Sequence, residues 1–265
     1  MTRSKTTTSH RMLRGLRGRR EKAPSTLLPA VLRRTGLADR YWAVRSPVGM
    51  VYVARTRAGI SGVTRAATAA LFERAYRRRT GRTVVRDESQ PPRAIIDLIE
   101  CHGPRDAALT FDLSGLTEFE RAVLNKALEI PAGQVRPYGW IAREIGKPGA
   151  VRAAGSALAK NPVPLLIPCH RVVRSDGELG RYSMGGSRIK RALLAAEGAH
   201  PELLTSLAHE GVRYLGNEAR RYYCYPSCGG VADLIRENHV RFRTEREACD
   251  AGFTPCEDCR PPLAA

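Results

Sequence analysis

A cysteine and a histidine stand side by side in residues 167–173, IPCHRVV, a segment that is otherwise largely apolar. Pro168 restricts the backbone just before the thiol. His170 supplies an imidazole that accepts a proton near neutral pH. Because a free cysteine has a pKa of about 8.5 and is mostly thiol at pH 7, a neighbouring base can activate it. Cys169 is therefore a candidate nucleophile, and the alternative is a buried structural cysteine.

Four further cysteines form two close pairs near the C-terminus. Cys224 and Cys228 are followed, after 27 residues, by Cys256 and Cys259. Two close pairs at this separation are typical of a four-thiolate zinc site. We predict that the four bind one structural zinc ion, and that Cys249 is not a ligand. Because so short a module lacks a large core, metal binding contributes to its folding.

The charge of the chain points to a polyanionic partner. The formal net charge is +18 and the pI is about 10.3 over 265 residues. Residues 1–34 carry a net +9, residues 35–209 a net +10 and residues 210–265 a net −1. The most common partner of such a basic protein is nucleic acid. The C-terminal region, residues 210–265, is nearly neutral, so its charge does not indicate such a partner.

Hydropathy and cysteine count bear on location. No apolar run is long enough to span a bilayer or to serve as a secretory signal, so we expect no membrane partner. Seven cysteines, an odd number, suggest a reducing compartment. We therefore expect a protein of the cytoplasm and nucleoid, or of the nucleus in a eukaryote.

Domain boundaries follow from shifts in composition. Residues 1–34, rich in Arg, Ser and Thr, predict a disordered basic tail that adds salt-sensitive affinity for nucleic acid; a targeting leader has a similar composition. Residues 35–113 alternate short apolar segments with turns and predict an α+β subdomain. Its expected elements are strands at 41–45, 50–56, 59–64, 83–86 and 109–113 and helices at 67–79 and 91–101.

Residues 114–200 predict a mainly helical domain. Thr117 and Glu120 fit a capping box at the start of its first helix. Two short helices at 138–145 and 150–160 then follow one another with helix-turn-helix spacing. The second of these is rich in small side chains, so its backbone can approach either a packed helix or a DNA groove.

A last helix of this domain is expected over 188–197. Ser187 is the predicted N-cap and Gly198 the residue after its end. Glu197 lies at the C-terminus, where the helix dipole disfavours a carboxylate. Its position does not help the helix, so either it has another role or it is an ordinary solvated glutamate.

The pattern from 111 to 198 resembles the O6-alkylguanine-DNA alkyltransferases. Residues 161–173 (NPVPLLIPCHRVV) match that family's signature, and further matches lie at 116–127, 137–142, 180–183 and 193–198. Residues 41–113 resemble the family's ribonuclease-H-like subdomain. One departure is Met184, which lengthens the usual Tyr-Ser-Gly-Gly loop of the alkyl pocket by one residue.

The resemblance implies a repair function and a set of roles. Cys169 would take the alkyl group from O6 of a flipped-out guanine in double-stranded DNA, in a single turnover without an organic cofactor. His170 would draw the thiol proton through a water, and Glu197 would orient that imidazole. Asn161 would tie the turn, and Tyr138 would promote flipping and protonate the departing guanine. The implied DNA contacts are Arg152, Tyr138, Ala153, Gly155 and Ser156, and the implied pocket residues are Tyr182, Ser183, Val172 and Pro164.

Residues 214–261 resemble the Ada-type zinc domain, which removes methyl groups from DNA phosphotriesters. That resemblance makes Cys224 a candidate second methyl acceptor. The net negative charge, with Glu257 and Asp258 between two ligands, favours instead a structural or protein-docking role. Residues 201–213 are expected to be a linker, and zinc removal to unfold the module without stopping repair at Cys169.

The predicted fold class is therefore α+β with three parts. These are a ribonuclease-H-like subdomain (35–113), a winged helix-turn-helix-like alkyltransferase domain (114–200) and a small four-cysteine zinc domain (214–261), in a monomer. Two other functions stay open. One is a DNA-damage-sensing protein that binds without repair, although the proteins of that kind lack the cysteine. The other is a methylation-responsive regulator, although no AraC-like region separates the two modules here.

Overall fold

The chain divides into two units, residues 1–38 and residues 39–265. The computed structural model describes residues 24, 27–100, 109–176, 178–229 and 239–264. Most of the predicted basic tail lies outside the described residues. The end of this tail forms helix α1 (Leu27–Thr35), so the predicted disorder is wrong for these residues. Leucines and valine recur there at helical spacing and give the segment one apolar face, which favours a helix over a disordered chain.

A mixed four-stranded sheet begins the second unit. Its strands are β1 (Asp39–Ser46), β2 (Gly49–Arg55), β3 (Ile60–Arg65) and β4 (Val84–Arg86), in the order β3-β2-β1-β4. Neighbours are antiparallel except β1 and β4. Helix α2 (Ala69–Thr80) follows β3 in the chain, and helix α3 (Arg93–Ile99) follows β4. These elements confirm the predicted hairpin, third strand and first helix.

The strand predicted at 109–113 does not form. Phe111 makes a single bridge to Ile60. The carboxylate of Asp112 then accepts hydrogen bonds from the Ser114 backbone N–H and hydroxyl and from the Thr56 hydroxyl. A short side chain that bonds the backbone two residues ahead favours a turn, so the chain bends away after one bridge.

The mainly helical part follows as predicted. It contains α4 (Glu118–Leu128), β5 (Arg136–Pro137), α5 (Tyr138–Glu144), α6 (Val151–Ala159), a 3-10 turn (Cys169–Arg171), β6 (Val172–Val173) and α7 (Gly186–Ala196). The capping box of Thr117 and Glu120 is present at the start of α4. Ser187 is not the N-cap of α7: the helix begins at Gly186, two residues earlier than predicted, and its N-cap is Gly185, whose φ of 134° few other residues adopt.

In the residues that the structure describes, the C-terminal part contains a small sheet and two helices. Helix α8 (Pro201–His209) occupies most of the segment expected to be a linker, because Leu203 and Leu207 lie one helical turn apart and pack on the core. Strands β7 (Tyr214–Asn217), β8 (Tyr222–Cys224), β9 (Val240–Phe242) and β10 (Thr254–Pro255) have the order β10-β8-β7-β9, and α9 (Glu245–Asp250) precedes β10. None of the described helices is both long and apolar enough to cross a membrane.

Two contacts bring the distant segments of the fold to the Cys-His turn. The backbone N–H of Val63, on β3, donates to the carbonyl of Pro162 at 2.8 Å. Strands β5 and β6 pair in parallel, so Pro137 lies opposite Val173. Tyr138 directly follows one of these strands and Arg171 directly precedes the other. The pairing therefore ties the segment that leads into α5 to the segment that leaves the 3-10 turn.

We predict that Gly59→Ala destabilises the protein much more than Gly81→Ala. Both glycines have a positive φ, but a Cβ at Gly59 would lie 2.6 Å from the Thr110 carbonyl oxygen, whereas nothing lies within 4 Å of one at Gly81. The backbone strain alone costs about 1 kcal/mol at Gly81. The clash raises the cost at Gly59 to about 3 kcal/mol. Urea unfolding of the two variants measures the difference, and equal losses would contradict the close approach.

Candidate active site and zinc site

Cys169 sits in a tightly tied turn. Asn161 donates from Nδ2 to the Ile167 carbonyl at 2.9 Å and to Cys169 Sγ at 3.1 Å, while its Oδ1 accepts from the Val163 N–H at 2.9 Å. Leu165, inside the turn, has a φ of 74°, a strained value for a branched residue. Both polar atoms of the Asn161 side chain are thus used, and they tie the turn that carries the sulfur at three points.

His170 and Glu197 meet in the interior. His170 Nε2 lies 2.8 Å from Glu197 Oε1, with the two side chains 1% and 3% exposed. Arg171 holds the same carboxylate from the other side, donating from Nε to Oε2 and from Nη2 to Oε1, each at 2.8 Å. A further bond from Arg171 Nη1 reaches the carbonyl of Ile130, two residues after α4 ends. Glu197 is therefore shared by two neighbouring residues of the 3-10 turn.

This sharing sets the protonation of both groups. Burial pushes the pKa of Glu197 up, but hydrogen bonds with His170 and Arg171 outweigh it and lower the pKa to about 2. Burial lowers the pKa of His170, against the opposing effect of Glu197. The ionised carboxylate then accepts a hydrogen bond from Nε2–H, so a neutral His170 carries its lone pair on Nδ1. That nitrogen is buried without a hydrogen-bond partner among the described residues, and it is free to act as a base.

The sulfur of Cys169 is held as a thiol at rest. Burial raises its pKa, while the hydrogen bond from Asn161 and the positive charge of Lys190 act in the opposite direction. Lys190 is itself fully buried, on α7, and donates to the Val172 carbonyl. Burial lowers the Lys190 pKa to about 8, so the residue stays mostly charged at pH 7. A cation thus lies close to where a thiolate would form.

Tyr138 and helix α6 form the candidate DNA face. Tyr138 is half-buried at the first position of α5, and its ring lies within 4 Å of where a Cβ on Gly155 would stand. Arg152, Ala153 and Ser156 are exposed on α6, whereas Ala154, Ala157 and Leu158 pack inside. Helix α6 therefore has two faces: the buried one packs against the protein interior, and the exposed one is open to a partner.

The candidate pocket residues surround the turn. The Tyr182 ring lies edge-on to His170, 6.1 Å between centroids, and Val172 and Pro164 are buried. Ser183 is exposed and lines, with Pro164 and the additional Met184, a cavity of about 280 Å³ that reaches Asn161. The Tyr182 hydroxyl donates to Met184 Sδ at 3.5 Å. The extra residue is therefore folded into the pocket wall.

Sequence reasoning missed two charged residues of the site, Arg171 and Lys190. A usable signal existed for Lys190. Residues 190, 193, 194 and 197 share one face of α7, so a lysine there lies on the same side as Glu197 and among buried leucines. Arg171 had no such signal, because only the three-dimensional path of the chain brings its guanidinium to Glu197.

The four zinc-candidate cysteines come together as predicted. The sulfurs of Cys224, Cys228, Cys256 and Cys259 all lie within 4.8 Å of one another, and all four residues are buried. Zinc–sulfur bonds of about 2.3 Å would hold tetrahedral sulfurs about 3.8 Å apart, so the cluster fits one such ion. Cys249 is not in the cluster: its Sγ lies 3.9 Å from the Tyr223 hydroxyl.

Comparison with known proteins identifies both halves of this arrangement. Residues 118–199 match a family model described as the DNA binding domain of 6-O-methylguanine DNA methyltransferase, and residues 206–262 match the metal binding domain of Ada. A methylated-DNA–protein-cysteine methyltransferase of Mycolicibacterium paratuberculosis is 38% identical over 173 residues, which are 62% of this chain and 96% of that protein. The chain belongs to the methylated-DNA–protein-cysteine methyltransferases. This membership confirms the predicted class of enzyme, one that repairs DNA by direct alkyl transfer, and the Ada match supports zinc at the four cysteines.

Two other known proteins are similar to parts of this chain. The protein of that name from Methanothermobacter thermautotrophicus is 40% identical over 124 residues, 44% of this chain and 68% of its own length. The protein in a crystal structure of Mycobacterium tuberculosis OGT in complex with DNA is 29% identical in sequence. The match covers 63% of this chain and 99% of the OGT chain, with a TM-score of 0.49.

We predict that Glu197→Gln removes a part of the methyltransferase's stability that depends on pH. The folded pKa of Glu197, about 2, lies below its ordinary value of 4.5. A depressed carboxyl pKa stabilises the fold above the unfolded pKa, and that stability is lost as pH falls toward the folded pKa. The expected difference from the unchanged chain is about 3 kcal/mol at pH 7, shrinking between about pH 4.5 and 2. Denaturant unfolding at several pH values measures it, and a difference independent of pH would contradict the shared carboxylate.

Proposed function

We propose that this methyltransferase repairs O6-alkylguanine in double-stranded DNA by accepting the alkyl group on Cys169. One observation carries the proposal: Asn161, Cys169, His170 and Glu197 form one continuous buried arrangement. Asn161 fixes the sulfur, the following residue presents a neutral imidazole, and an ionised carboxylate orients that imidazole. This is the order of nucleophile, base and orienting acid that activates a weak nucleophile.

The proposed alkyl transfer uses only groups of the protein, the DNA and water. His170 Nδ1 takes the thiol proton through one water, and the Cys169 thiolate attacks the alkyl carbon. A carbon–sulfur bond forms as the bond from that carbon to guanine O6 breaks. Tyr138 gives its proton to the departing guanine and later regains one from solvent. The product thioether is stable, so each molecule acts once and needs no organic cofactor.

The positive charge of Lys190 supports this step. Deprotonating Cys169 creates a negative charge in a buried site, which burial alone disfavours. Lys190 favours that charge electrostatically, and its ammonium also lies 5.9 Å from the Tyr138 ring centroid. We infer that Lys190 stabilises the thiolate once the base has acted.

The DNA face is proposed to receive a duplex with one nucleotide flipped out. The reacting atom is inaccessible in a stacked helix, so the base must leave the stack. Arg152 is exposed on α6 and would fill the vacated position. The small residues Ala153, Gly155 and Ser156 let the helix backbone approach the groove. Tyr138 lies next to Gly155 and close enough to Cys169 for the two groups to interact electrostatically.

The flipped base is proposed to lie against Tyr182, Ser183, Pro164 and Val172. The carbonyls of Cys169 and Val172 would accept from the guanine amine. The Val172 carbonyl already accepts from Lys190, so it would use its second lone pair. Met184 narrows or reshapes the adjoining cavity, and the alkyl size accepted depends on it.

The finer subdomain assignments also belong to this proposal. We infer that the sheet of β1 to β4 with α2 and α3 is the ribonuclease-H-like subdomain, and that α5 and α6 form the winged helix-turn-helix-like DNA reader. The chain is proposed to act as a monomer, since each predicted role is filled from within one chain.

The zinc module is proposed to bind one zinc ion through its four cysteines and to act as a structural element. When bound, zinc would neutralise the crowded thiolates and add to folding free energy. The Cys224 residue is 0% exposed, so a DNA phosphotriester cannot reach it without opening the module. Its burial favours a structural role over the methyl-acceptor role that the Ada resemblance implies.

We predict that Cys169→Ala abolishes methyl transfer from DNA containing O6-methylguanine while DNA binding persists, because only the nucleophile is removed. Cys249→Ala is the matched control and should still be methylated. Peptide mass spectrometry locates the added methyl, and fluorescence anisotropy measures binding. Transfer that survives in Cys169→Ala would sink the assignment, and an unchanged chain that binds but is never labelled would indicate a damage sensor.

We predict that DNA carrying a methyl phosphotriester does not methylate Cys224 in the zinc-loaded chain. The reason is the complete burial of that residue. The measurement is the same peptide mass analysis, with O6-methylguanine DNA as the positive control in a parallel sample. A methyl on Cys224 would instead make the protein a repair enzyme with two acceptors.

A further inference from the structure

The zinc module packs on the alkyltransferase domain through the two loops that carry the zinc ligands. In the first loop, the Ser227 hydroxyl accepts from the Val135 N–H at 2.8 Å and donates to the Val135 carbonyl at 3.1 Å. In the second loop, Arg260 pairs with Glu144 at 2.9 Å and with Glu129 at 3.3 Å. A single apolar core runs from the alkyltransferase domain into the module.

Aromatic and cationic side chains complete this contact. Arg260 lies 5.5 Å from the centroid of the Trp140 ring, and Arg136 lies between Trp140 and Tyr225 at 5.9 and 5.8 Å. Arg143 donates to the Arg260 carbonyl. Tyr225 stands between the first two ligands, and Arg260 directly follows the fourth. On the side of the module, the contact therefore consists of residues that adjoin the zinc ligands in the chain.

These contacts flank Tyr138 on both sides. Val135 lies three residues before it, whereas Trp140, Arg143 and Glu144 follow it on α5. The exposed face of α6 is on the other helix of the pair, and among the described residues the side-chain hydrogen bond of Ser156 goes to Arg152 on the same helix, not to the module. The module thus holds the first helix from outside the candidate DNA face.

We propose that the zinc module positions Tyr138 for alkyl transfer, with Ser227 and Arg260 as the positioning residues. The proposal rests on the role of Tyr138 in the proposed function. It reverses the expectation that the module can unfold without affecting Cys169. A displacement of about 1 Å in a group that acts at the reacting base can slow a reaction by up to about a hundredfold, so modest loosening of α5 is enough.

The experiment compares Arg260→Ala with Arg246→Ala in the full-length, zinc-loaded chain. Arg246 lies on the same module, 83% exposed, with Asp250 at 3.8 Å as its partner, and it is the matched control. Methyl transfer to Cys169 is measured in single turnover at saturating O6-methylguanine DNA. We expect the rate constant to fall about tenfold for Arg260→Ala and not for Arg246→Ala. The dissociation constant for DNA and the zinc content should stay unchanged in both.

Two further variants separate positioning from loss of structure. Arg260→Lys keeps the charge for Glu144 but not the planar group against Trp140, so it should restore part of the rate. Glu144→Gln breaks the same contact from the other side and leaves every residue of the module intact. If Arg260→Ala loses zinc, Glu144→Gln decides: a slowed transfer supports the proposal and an unchanged one overturns it.

A spectroscopic readout is independent of activity. The chain has two tryptophans, so Trp42→Phe leaves Trp140 as the reporter. Its emission should shift with Arg260→Ala and on zinc chelation. A shift with no change in transfer rate would overturn the positioning role. An unchanged chain that never transfers a methyl would refute the proposed function, whereas normal transfer in all contact variants refutes this inference alone.

Discussion

The buried carboxylate of Glu197 is the constraint on which the active site depends. An ionised carboxylate in the interior is costly unless it is paired and hydrogen-bonded. Here two consecutive residues, His170 and Arg171, supply that compensation, and Arg171 also bonds the Ile130 carbonyl, two residues after α4 ends. Satisfying Glu197 therefore fixes the 3-10 turn, the tautomer of His170 and the distance between α7 and α4. Because Cys169 directly precedes these two residues, the contacts of Glu197 also fix the position of its sulfur.

Asn161 extends that frame toward the first sheet. Its side chain closes the strained turn before Cys169, and the neighbouring Pro162 accepts a hydrogen bond from β3. The α+β subdomain thus contributes to the site without supplying a reacting group. Its contribution is rigidity, because a turn with a left-handed leucine persists only where the surroundings determine it.

The C-terminal module is joined to this frame rather than attached by a flexible segment. Helix α8 packs on the core, and both ligand-bearing loops contact residues on either side of Tyr138. The individual ion pairs are partly exposed and each stabilises the contact by less than about 1 kcal/mol. Their number and placement matter more than their strength, since they converge on one short helix. A zinc site that orders its own loops can in this way order a helix of the neighbouring domain.

The amino-acid sequence by itself determined the chemistry and most of the local structure. The Cys-His pair, the two close cysteine pairs, the capping box of Thr117 and Glu120 and the helix-turn-helix spacing are all properties of neighbouring residues, so they are legible without a fold. The contact of Arg171 with Glu197 and the contact of Ser227 with Val135 were decided only by tertiary structure. Each depends on groups far apart in the chain: Glu197 is 26 residues from Arg171, and Ser227 is 92 from Val135. Local propensity holds no information on such pairs, because burial and the need to satisfy buried polar groups arise only when the chain is folded.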